Sequence, residues 1–170
     1  VLRFARSPCA ALAGMARDGD NDPMSPAHVS VLFDDALLLC EERLRHSSIQ
    51  FDVAAFVDDP VVTCRPVQIV QVLLNLLNNA YDAAIDSEEK WVKLDYRIIE
   101  RECEISVANG GIRLPSSMLE TVVKPFYTTK PAGKGTGLGL SISQRILHAH
   151  DSALGLDPDS PRTRFFFRLR

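Results

Sequence analysis

Two stretches of the sequence contain residues whose types and spacing could bind a phosphorylated ligand. The first, 67–86, has three asparagines within five residues, Asn75, Asn78 and Asn79. The second, "GKGTGLGLSIS" (133–143), has glycine at every second position before an apolar run. Amide oxygens are hard ligands suited to Mg²⁺, and a glycine-rich backbone lets N–H groups approach an anion closely. Together the two stretches predict a site for a metal-bound phosphate.

The asparagines belong to a narrow polar face of a predicted helix. At about 100° per residue, the polar side chains of 67–86 fall within roughly 100° of arc, and apolar side chains cover most of the rest. The polar residues are Gln68, Gln71, Asn75, Asn78, Asn79, Asp82 and Asp86. This face could be solvated, but solvated faces are usually built from Lys, Glu and Arg. Because asparagine is a poor helix former, we favour contact with a polar ligand.

The glycine segment fits neither of two familiar phosphate-binding motifs. A P-loop needs G-x-x-x-x-G-K-[ST] and a dinucleotide fingerprint needs G-x-G-x-x-G, and the spacing here satisfies neither. The segment still leads into a predicted helix N-terminus, whose free N–H groups and positive dipole end favour an anion. Lys130 and Lys134 can add positive charge, and Pro131, Gly133 and Gly135 predict a mobile lid. The alternative is an ordinary flexible loop.

Composition limits the classes of function. The chain has 170 residues, 46% apolar residues and a net charge of −3. These values fit one globular domain, and we expect no nucleic-acid partner. No apolar run approaches the ~18 residues that cross a bilayer. Because Cys9, Cys40, Cys64 and Cys103 lack the spacing of a metal or redox site, we expect free thiols in a reducing compartment.

Hydrophobic periodicity predicts the elements that position the two stretches. The predicted helices are 29–45, 65–85, 114–123 and 138–150, and the predicted strands are 49–57, 61–64, 91–100, 103–109 and 162–170. The segment 17–26 reads as a linker, with Ser25 capping the first helix and Pro26 in its first turn. The order predicts an α+β two-layer sandwich, in which helices pack on one face of a mixed, largely antiparallel sheet.

The motifs resemble the ATP-binding domain of sensor histidine kinases, a branch of the superfamily of DNA gyrase, Hsp90, histidine kinases and MutL. The segment "QVLLNLLNNAYDA" (71–83) resembles the asparagine box of that family, and "KPFYTTK" (124–130) resembles its phenylalanine box. The segment 133–143 resembles its second glycine box, and "TRFFFRL" (163–169) its closing strand. The spelling "PFYTTK" and its short spacing to the glycines are similar to nitrogen-regulation kinases. The resemblance covers about 17–170 and implies the GHKL (Bergerat) fold.

The resemblance implies that the cofactors are ATP and Mg²⁺. Asn79 would hold the metal, and Asn75 and Lys130 would bind the nucleotide and act in catalysis. The other nucleotide contacts would come from Asp82, Asn109, Gly111, Ile112, Thr129, Gly135, Thr136, Gly137, Leu138, Gly139, Leu140 and Thr163. In the ATPase branches the position of Asn75 is a glutamate base. Because an amide cannot take a proton from water at neutral pH, Asn75 favours phosphoryl transfer over hydrolysis.

One motif departs from the family pattern. The family reads D-N-G-x-G-I, with the aspartate accepting the adenine amino group, but this chain has "VANGGI" at 107–112. Val107 or Ala108 would take the aspartate position, and neither side chain accepts a hydrogen bond. Asn109 could substitute only if the backbone shifts. Losing this contact costs about 1–3 kcal/mol, so we predict weak or purine-tolerant nucleotide binding.

The implied function is that of the catalytic ATP-binding domain of a two-component sensor histidine kinase. It would transfer the γ-phosphoryl group to a histidine on an adjacent helical domain, of its own or a partner chain, and from there to a response regulator. We expect residues 1–22 to be the tail of that helical dimerisation region with its linker, and 23–170 to be the ATP-binding domain. His148 and His150 end a predicted helix, where they favour its dipole, so we do not expect either to be the phosphoacceptor.

Two alternatives remain open. The altered glycine motif favours a degenerate nucleotide-binding or docking domain without phosphotransfer, and a gyrase- or chaperone-type ATPase is disfavoured by Asn75. We expect this fragment to be a cytoplasmic monomer, and the full-length kinase to be a homodimer with a possible membrane anchor.

Overall fold

A five-stranded sheet and a layer of helices build the fold. The structure is a computed structural model that describes residues 22–45, 48–130 and 135–170. The strands are β1 Ser25–His28, β2 Gln50–Val53, β3 Val61–Cys64, β4 Trp91–Ile99, β5 Glu102–Asn109, β6 Gly155–Leu156 and β7 Arg164–Leu169. The helices are α1 Val29–Arg45, α2 Pro66–Ile85, α3 Leu119–Val122 and α4 Gly139–His148.

The main sheet has the strand order β2–β4–β5–β7–β6. The pair β2–β4 is parallel, and the other pairs of this sheet are antiparallel. β1 and β3 form a separate antiparallel pair, which meets the end of β7 where Thr63 N–H donates to the Arg170 carbonyl at 2.5 Å. The predicted α+β sandwich with a mixed, largely antiparallel sheet is therefore confirmed.

Helix α2 is the centre of the helical layer. Pro66 occupies its first turn, where a missing N–H costs nothing, and α2 contacts α1, α4, β4 and β5. Most side chains of the predicted apolar belt are buried, whereas Leu74 is half-buried and Ala83 is exposed. The buried ones are Ile69, Val70, Val72, Leu73, Leu76, Leu77, Ala80 and Ala84. A second part of the core joins α1 to β4, where the Phe33 ring meets Phe56 and Tyr96 edge-on. Packing against α1, α4 and the sheet thus sets the orientation of α2 and of its polar face.

The face of β5 that contains Glu104 is covered by arginine side chains. The Glu104 side chain is fully buried beneath three arginines from the neighbouring strands, Arg97, Arg164 and Arg168, at 2.8–3.0 Å. Burial alone raises the pKa of Glu104, but the hydrogen bonds from these arginines outweigh it and leave the pKa below its ordinary value. The long arginine side chains therefore take the place of solvent over β5.

Several element boundaries differ from those predicted. Residues 25–28 form β1, so the prediction of Ser25 as a helix cap and Pro26 in the first turn of α1 was wrong. Pro26 is tolerated because β1 pairs with β3 alone, leaving an edge that needs no N–H donor. The strand predicted at 49–57 ends at Val53, and the segment predicted as helix 114–123 contains a 3₁₀ turn, Ser116–Met118, before α3. The two-residue strand β6 was not predicted.

Cys40, Cys64 and Cys103 are free and buried, as expected, and burial raises the pKa of the Cys64 and Cys103 thiols to about 11. Cys9 and the predicted helical tail at 1–22 lie outside the described residues, except for Asp22. Among the described helices, none is long and apolar enough to cross a bilayer.

Candidate functional site

The polar face of α2 meets the first turn of α4 through Asn75. The Asn75 Nδ2 donates to the Gly139 carbonyl and to the Ser143 Oγ, both at 3.1 Å, and the Ser143 Oγ in turn donates to the Gly139 carbonyl at 2.9 Å. The asparagine face and the end of the glycine segment are therefore in direct contact, as predicted. Ser143 is fully buried and was not predicted; its position one turn after Gly139 was the available signal.

A second hydrogen-bonded contact joins the start of α2 to the end of α4. His150 is buried, and its Nε2 accepts a hydrogen bond from the Arg65 N–H at 3.0 Å. Its Nδ1 lies 2.7 Å from the Ile146 carbonyl, so Nδ1 carries the proton. Burial lowers the pKa of His150, and the nearby Arg65 charge lowers it further, against the opposing effects of Ile146 and Asp151. The neutral imidazole thus fixes α4 against α2.

Charged side chains from three elements meet at the other end of the polar face. The Lys130 Nζ lies 2.5 Å from Asp82 Oδ2 and 3.5 Å from Asn79 Oδ1. Arg43 of α1 donates to Asp82 Oδ1 at 2.9 Å and to Asn78 Oδ1 at 2.5 Å. We name Arg43, Asp82 and Lys130 the charge triad. The position of Arg43 could not be predicted from spacing, because it depends on how α1 packs against α2.

The segment before α4 is shaped by a backbone contact with the phenylalanine-containing turn. Gly137 has a φ of +66°, and its carbonyl accepts a hydrogen bond from the Phe126 N–H at 2.9 Å. A Cβ at 137 would lie 2.5 Å from the Phe126 carbonyl carbon, so glycine is required here. The Thr136 Oγ1 accepts from the Leu138 N–H at 3.4 Å. The predicted residues Gly133 and Lys134 lie outside the described residues.

Asn109 ends β5 at a second group of predicted residues. Its side chain is buried, and its Oδ1 accepts the Gly111 N–H at 2.9 Å. β5 stays paired with β4 through Asn109, so Asn109 lies at the end of a regular strand. That its amide replaces the aspartate of the family only after a backbone shift stays a prediction. A Cβ at Gly111 would lie 2.6 Å from the Ala83 carbonyl, which brings this turn against α2 beside the charge triad. Val107 is buried in the core.

Thr163 holds the neighbouring segment in place. Its Oγ1 donates to the Ile112 carbonyl at 2.9 Å and accepts the Leu114 N–H at 2.8 Å. The Ile112 side chain is 88% exposed. The Thr163 hydroxyl thus donates one hydrogen bond and accepts another within the protein, and a nucleotide contact of Thr163 stays a prediction.

Comparison with protein families decides the identity. A model described as "Histidine kinase-, DNA gyrase B-, and HSP90-like ATPase" matches residues 64–170. This chain belongs to that ATPase family.

Two curated relatives of the ATPase domain are bacterial sensor kinases. The two-component sensor PprA of Pseudomonas aeruginosa is 34% identical over 81% of this chain, and sporulation kinase E of Bacillus subtilis is 29% identical over 82%. The chain spans only 15% and 18% of the lengths of these two proteins. The match is therefore to one part of each relative.

Solved structures place this ATPase domain among histidine kinases. The catalytic domain of histidine kinase ThkA superposes with a TM-score of 0.74 and 29% identity, covering 87% of this chain and 97% of that domain. A complex of ThkA with the response regulator TrrA gives a TM-score of 0.71 and 26% identity, covering 86% of this chain and 41% of that one. Within the ATPase family, the chain is the catalytic ATP-binding domain of the histidine kinase type.

In this kinase domain, the structure groups the predicted site residues around α2. Along its polar face, Asn75 is hydrogen-bonded to Gly139, and Lys130 contacts both Asn79 and Asp82. Gly137, Leu138 and Leu140 are neighbours of Gly139 in the chain. The Thr129 side chain is exposed and makes no hydrogen bond within the described residues. Asn109, Gly111, Ile112 and Thr163 form a second group, which reaches α2 at Ala83.

Proposed function

We propose that this domain binds Mg-ATP between the polar face of α2 and the N-terminus of α4, and transfers the γ-phosphoryl group to a histidine on an adjacent helical domain. One observation carries this proposal: Asn75 contacts Gly139 while Lys130 contacts Asn79, so amides, a cation and a helix N-terminus share one site. The N–H groups of the first turn of α4, together with those of Gly135 and Thr136, would bind phosphate oxygens, assisted by the helix dipole.

The Asn79 amide oxygen fits a Mg²⁺ ligand. It already accepts a hydrogen bond from a cation, the Lys130 ammonium, and the same ammonium also contacts the Asp82 carboxylate. Among the described residues, no group of three or more His, Cys, Asp and Glu side chains could hold a metal. Mg²⁺ would therefore take most ligands from water and the nucleotide, as it usually does. When bound, the metal would neutralise charge on the phosphates.

Asn75 supports phosphoryl transfer rather than hydrolysis. Its amide donates both N–H groups to α4, to Gly139 and Ser143, and an amide cannot serve as a base at neutral pH. Without a base beside the γ-phosphate, an attacking water gains no assistance. An external histidine brings its own nucleophilic nitrogen, so positioning and charge neutralisation by Lys130 suffice.

The base of the nucleotide would lie at Asn109, near Gly111, Ile112 and Thr163. Because the Asn109 Oδ1 accepts the Gly111 N–H, the amide presents its NH₂ donor to a ligand. An NH₂ group cannot accept the adenine amino group, but it can donate to a purine ring nitrogen or to the guanine carbonyl. We therefore expect ATP and GTP affinities within about tenfold of each other, since one neutral hydrogen bond contributes about 1 kcal/mol.

The whole protein would be a two-component sensor kinase. Residues 1–22 would connect to a histidine-bearing helical domain and 23–170 would form the ATP-binding domain, with a response regulator receiving the phosphoryl group next. We place this domain in the cytoplasm as a monomer within a homodimeric kinase, and a membrane anchor of the full-length kinase stays a prediction. The nitrogen-regulation subtype stays a prediction. The altered glycine motif, with Val107 or Ala108 at the aspartate position, favours one alternative, a degenerate nucleotide-binding or docking domain without phosphotransfer.

The test combines binding with transfer. Calorimetric titration of the 170-residue chain with Mg-ATP should show binding that Asn79→Ala weakens at least tenfold. Labelled ATP with a histidine-bearing helical hairpin added in trans should give an acid-labile, base-stable phosphoprotein. Binding without transfer would support the non-transferring alternative, and release of free phosphate without the hairpin would indicate an ATPase.

A further inference from the structure

We propose that Asp82 is a positioning residue that holds Lys130 over the Asn79 amide until the nucleotide phosphates draw the ammonium away. This inference rests on the proposed function, because it assigns Lys130 two successive partners at the same site. It also gives Asp82 a role other than direct contact with the nucleotide.

The first support is the place of the Lys130 ammonium. It forms an ion pair with Asp82 at 2.5 Å and lies 3.5 Å from the Asn79 oxygen, the atom proposed to bind Mg²⁺. A metal ion and an ammonium cannot both sit on that oxygen, because like charges at such distances repel. Loading the site therefore requires Lys130 to move.

The second support is that Asp82 also forms an ion pair with Arg43, which remains when Lys130 leaves. Arg43 binds Asp82 at 2.9 Å, and it is also held by Asn78 and by the Tyr81 ring, whose centroid lies 4.5 Å from its guanidinium carbon. When Lys130 leaves, the Asp82 carboxylate remains paired with Arg43 and is not left as an isolated charge. Nucleotide binding thus replaces the ion pair between Lys130 and Asp82 with one between Lys130 and a phosphate oxygen.

The third support is the exposure of the pair. The side chains of Lys130 and Asp82 are 31% and 28% exposed, so their ion pair is partly solvated and can open. Partly exposed pairs contribute up to about 1 kcal/mol, which corresponds to about a fivefold change in an equilibrium constant. Asp82 therefore weakens nucleotide binding by up to about fivefold. Removing the Asp82 carboxylate should strengthen nucleotide binding.

The experiment measures ATP binding in EDTA and in Mg²⁺ by calorimetry, for the wild-type chain and for Asp82→Asn. We expect Asp82→Asn to bind metal-free ATP about three- to fivefold more tightly. Asp86→Asn is the matched control, since it makes the same charge change at the exposed residue that directly follows the end of α2. We expect Asp86→Asn to change the affinity by less than about 1.5-fold because of solvent screening.

A double-mutant cycle with Lys130→Ala separates a positioning role from general charge removal. If Asp82 acts through Lys130, Asp82→Asn should have no more effect than Asp86→Asn in the Lys130→Ala background. Thermal unfolding confirms that each variant is folded, and Lys130→Arg should restore the dependence on Asp82.

The outcomes divide cleanly. Equal effects of Asp82→Asn and Asp86→Asn, or an Asp82→Asn effect that persists without Lys130, would overturn this inference and leave the proposed function intact. No binding of Mg-ATP by the wild-type chain would overturn the proposed function and this inference with it.

Discussion

The two ends of the polar face of α2 are held by different kinds of interaction. At the α4 end, neutral groups are buried or half-buried: the half-buried Asn75 bonds to Gly139 and Ser143, and the buried His150 bonds to Arg65 N–H. At the opposite end, the charge triad of Arg43, Asp82 and Lys130 is partly exposed to solvent. The first end has one satisfied arrangement, whereas the second has two cations for one carboxylate.

This difference separates fixed geometry from exchangeable contacts. Buried neutral hydrogen bonds are costly to leave unmade, so the α2–α4 junction fixes the helix N-terminus that would receive phosphate. Ion pairs in solvent have similar energies with different partners, so the charge triad can rearrange when a ligand binds. We call the α2–α4 junction the fixed end and the charge triad the exchangeable end. Substitutions and low pH should change the contribution of the fixed end, and salt concentration should change that of the exchangeable end.

The largest effect is expected from breaking the backbone approach to α4. Gly137→Val places a β-branched side chain at a positive φ and against the Phe126 backbone, at a cost of about 1–3 kcal/mol or more. Titration should show ATP binding weakened about 10- to 100-fold. Gly139→Ala is the control, because its Cβ would meet Asn75 at an ordinary 3.6 Å. Equal losses in both variants would show that the positive φ and the close contact with Phe126 at Gly137 have no special effect on binding.

Ser143→Ala removes one of the two acceptors of the Asn75 amide. The Gly139 carbonyl remains, so we expect a loss of about 1 kcal/mol in the free energy of unfolding. Chemical denaturation measures it, and Ser141→Ala is the control, since the Ser141 hydroxyl donates within its own turn to Leu138. If Ser141→Ala costs as much, the α2–α4 contact has no special weight.

The His150 contact should give the fixed end a pH dependence. The folded pKa lies below the ordinary 6.5, chiefly through burial, so the unfolded chain binds a proton first as pH falls. The contribution of the neutral ring is complete above about pH 6.5 and is lost progressively below it, down to the folded pKa.

Denaturation at pH 7.5 and at pH 6 measures this loss, which we expect to be smaller than the ~1 kcal/mol of a net hydrogen bond. The His150→Gln variant should lack this part of the decline, while His148→Gln, with an exposed side chain on the same helix, should keep it. An identical pH profile for wild type and His150→Gln would rule out the contribution.

The sequence predicted the local parts of this comparison and missed the long-range ones. The asparagine face of α2 and its wide apolar belt follow from periodicity and residue type within a single element. The convergence of this face with the glycine segment was expected from the phosphate chemistry that the two stretches share. The charge triad does not, because Arg43 reaches Asp82 only after α1 has packed against α2. Periodicity along one helix contains no information on which neighbour lies beside it.

Short strands and turns were missed for the same reason. β1 contains Pro26, which favours a helix start locally, yet pairing with β3 decides its conformation. The pairing of β5 with β4 places the buried Asn109 side chain at the strand end, and this position depends on contacts between strands. Which nucleotide contacts these residues make stays a proposal.

The smallest effect is expected from Arg43→Gln at the exchangeable end. Without Arg43, Asp82 is paired with Lys130 alone, so the ion pair that must open for nucleotide is stronger, and ATP binding should weaken by up to about twofold. Raising the salt concentration should reduce this difference, because screening weakens exposed charges. In the Asp82→Asn background the effect of Arg43→Gln should shrink, since Arg43 acts through that carboxylate. A salt-independent loss, or one unchanged by Asp82→Asn, would mean that Arg43 serves α1–α2 packing and that the charge triad is as fixed as the α4 end.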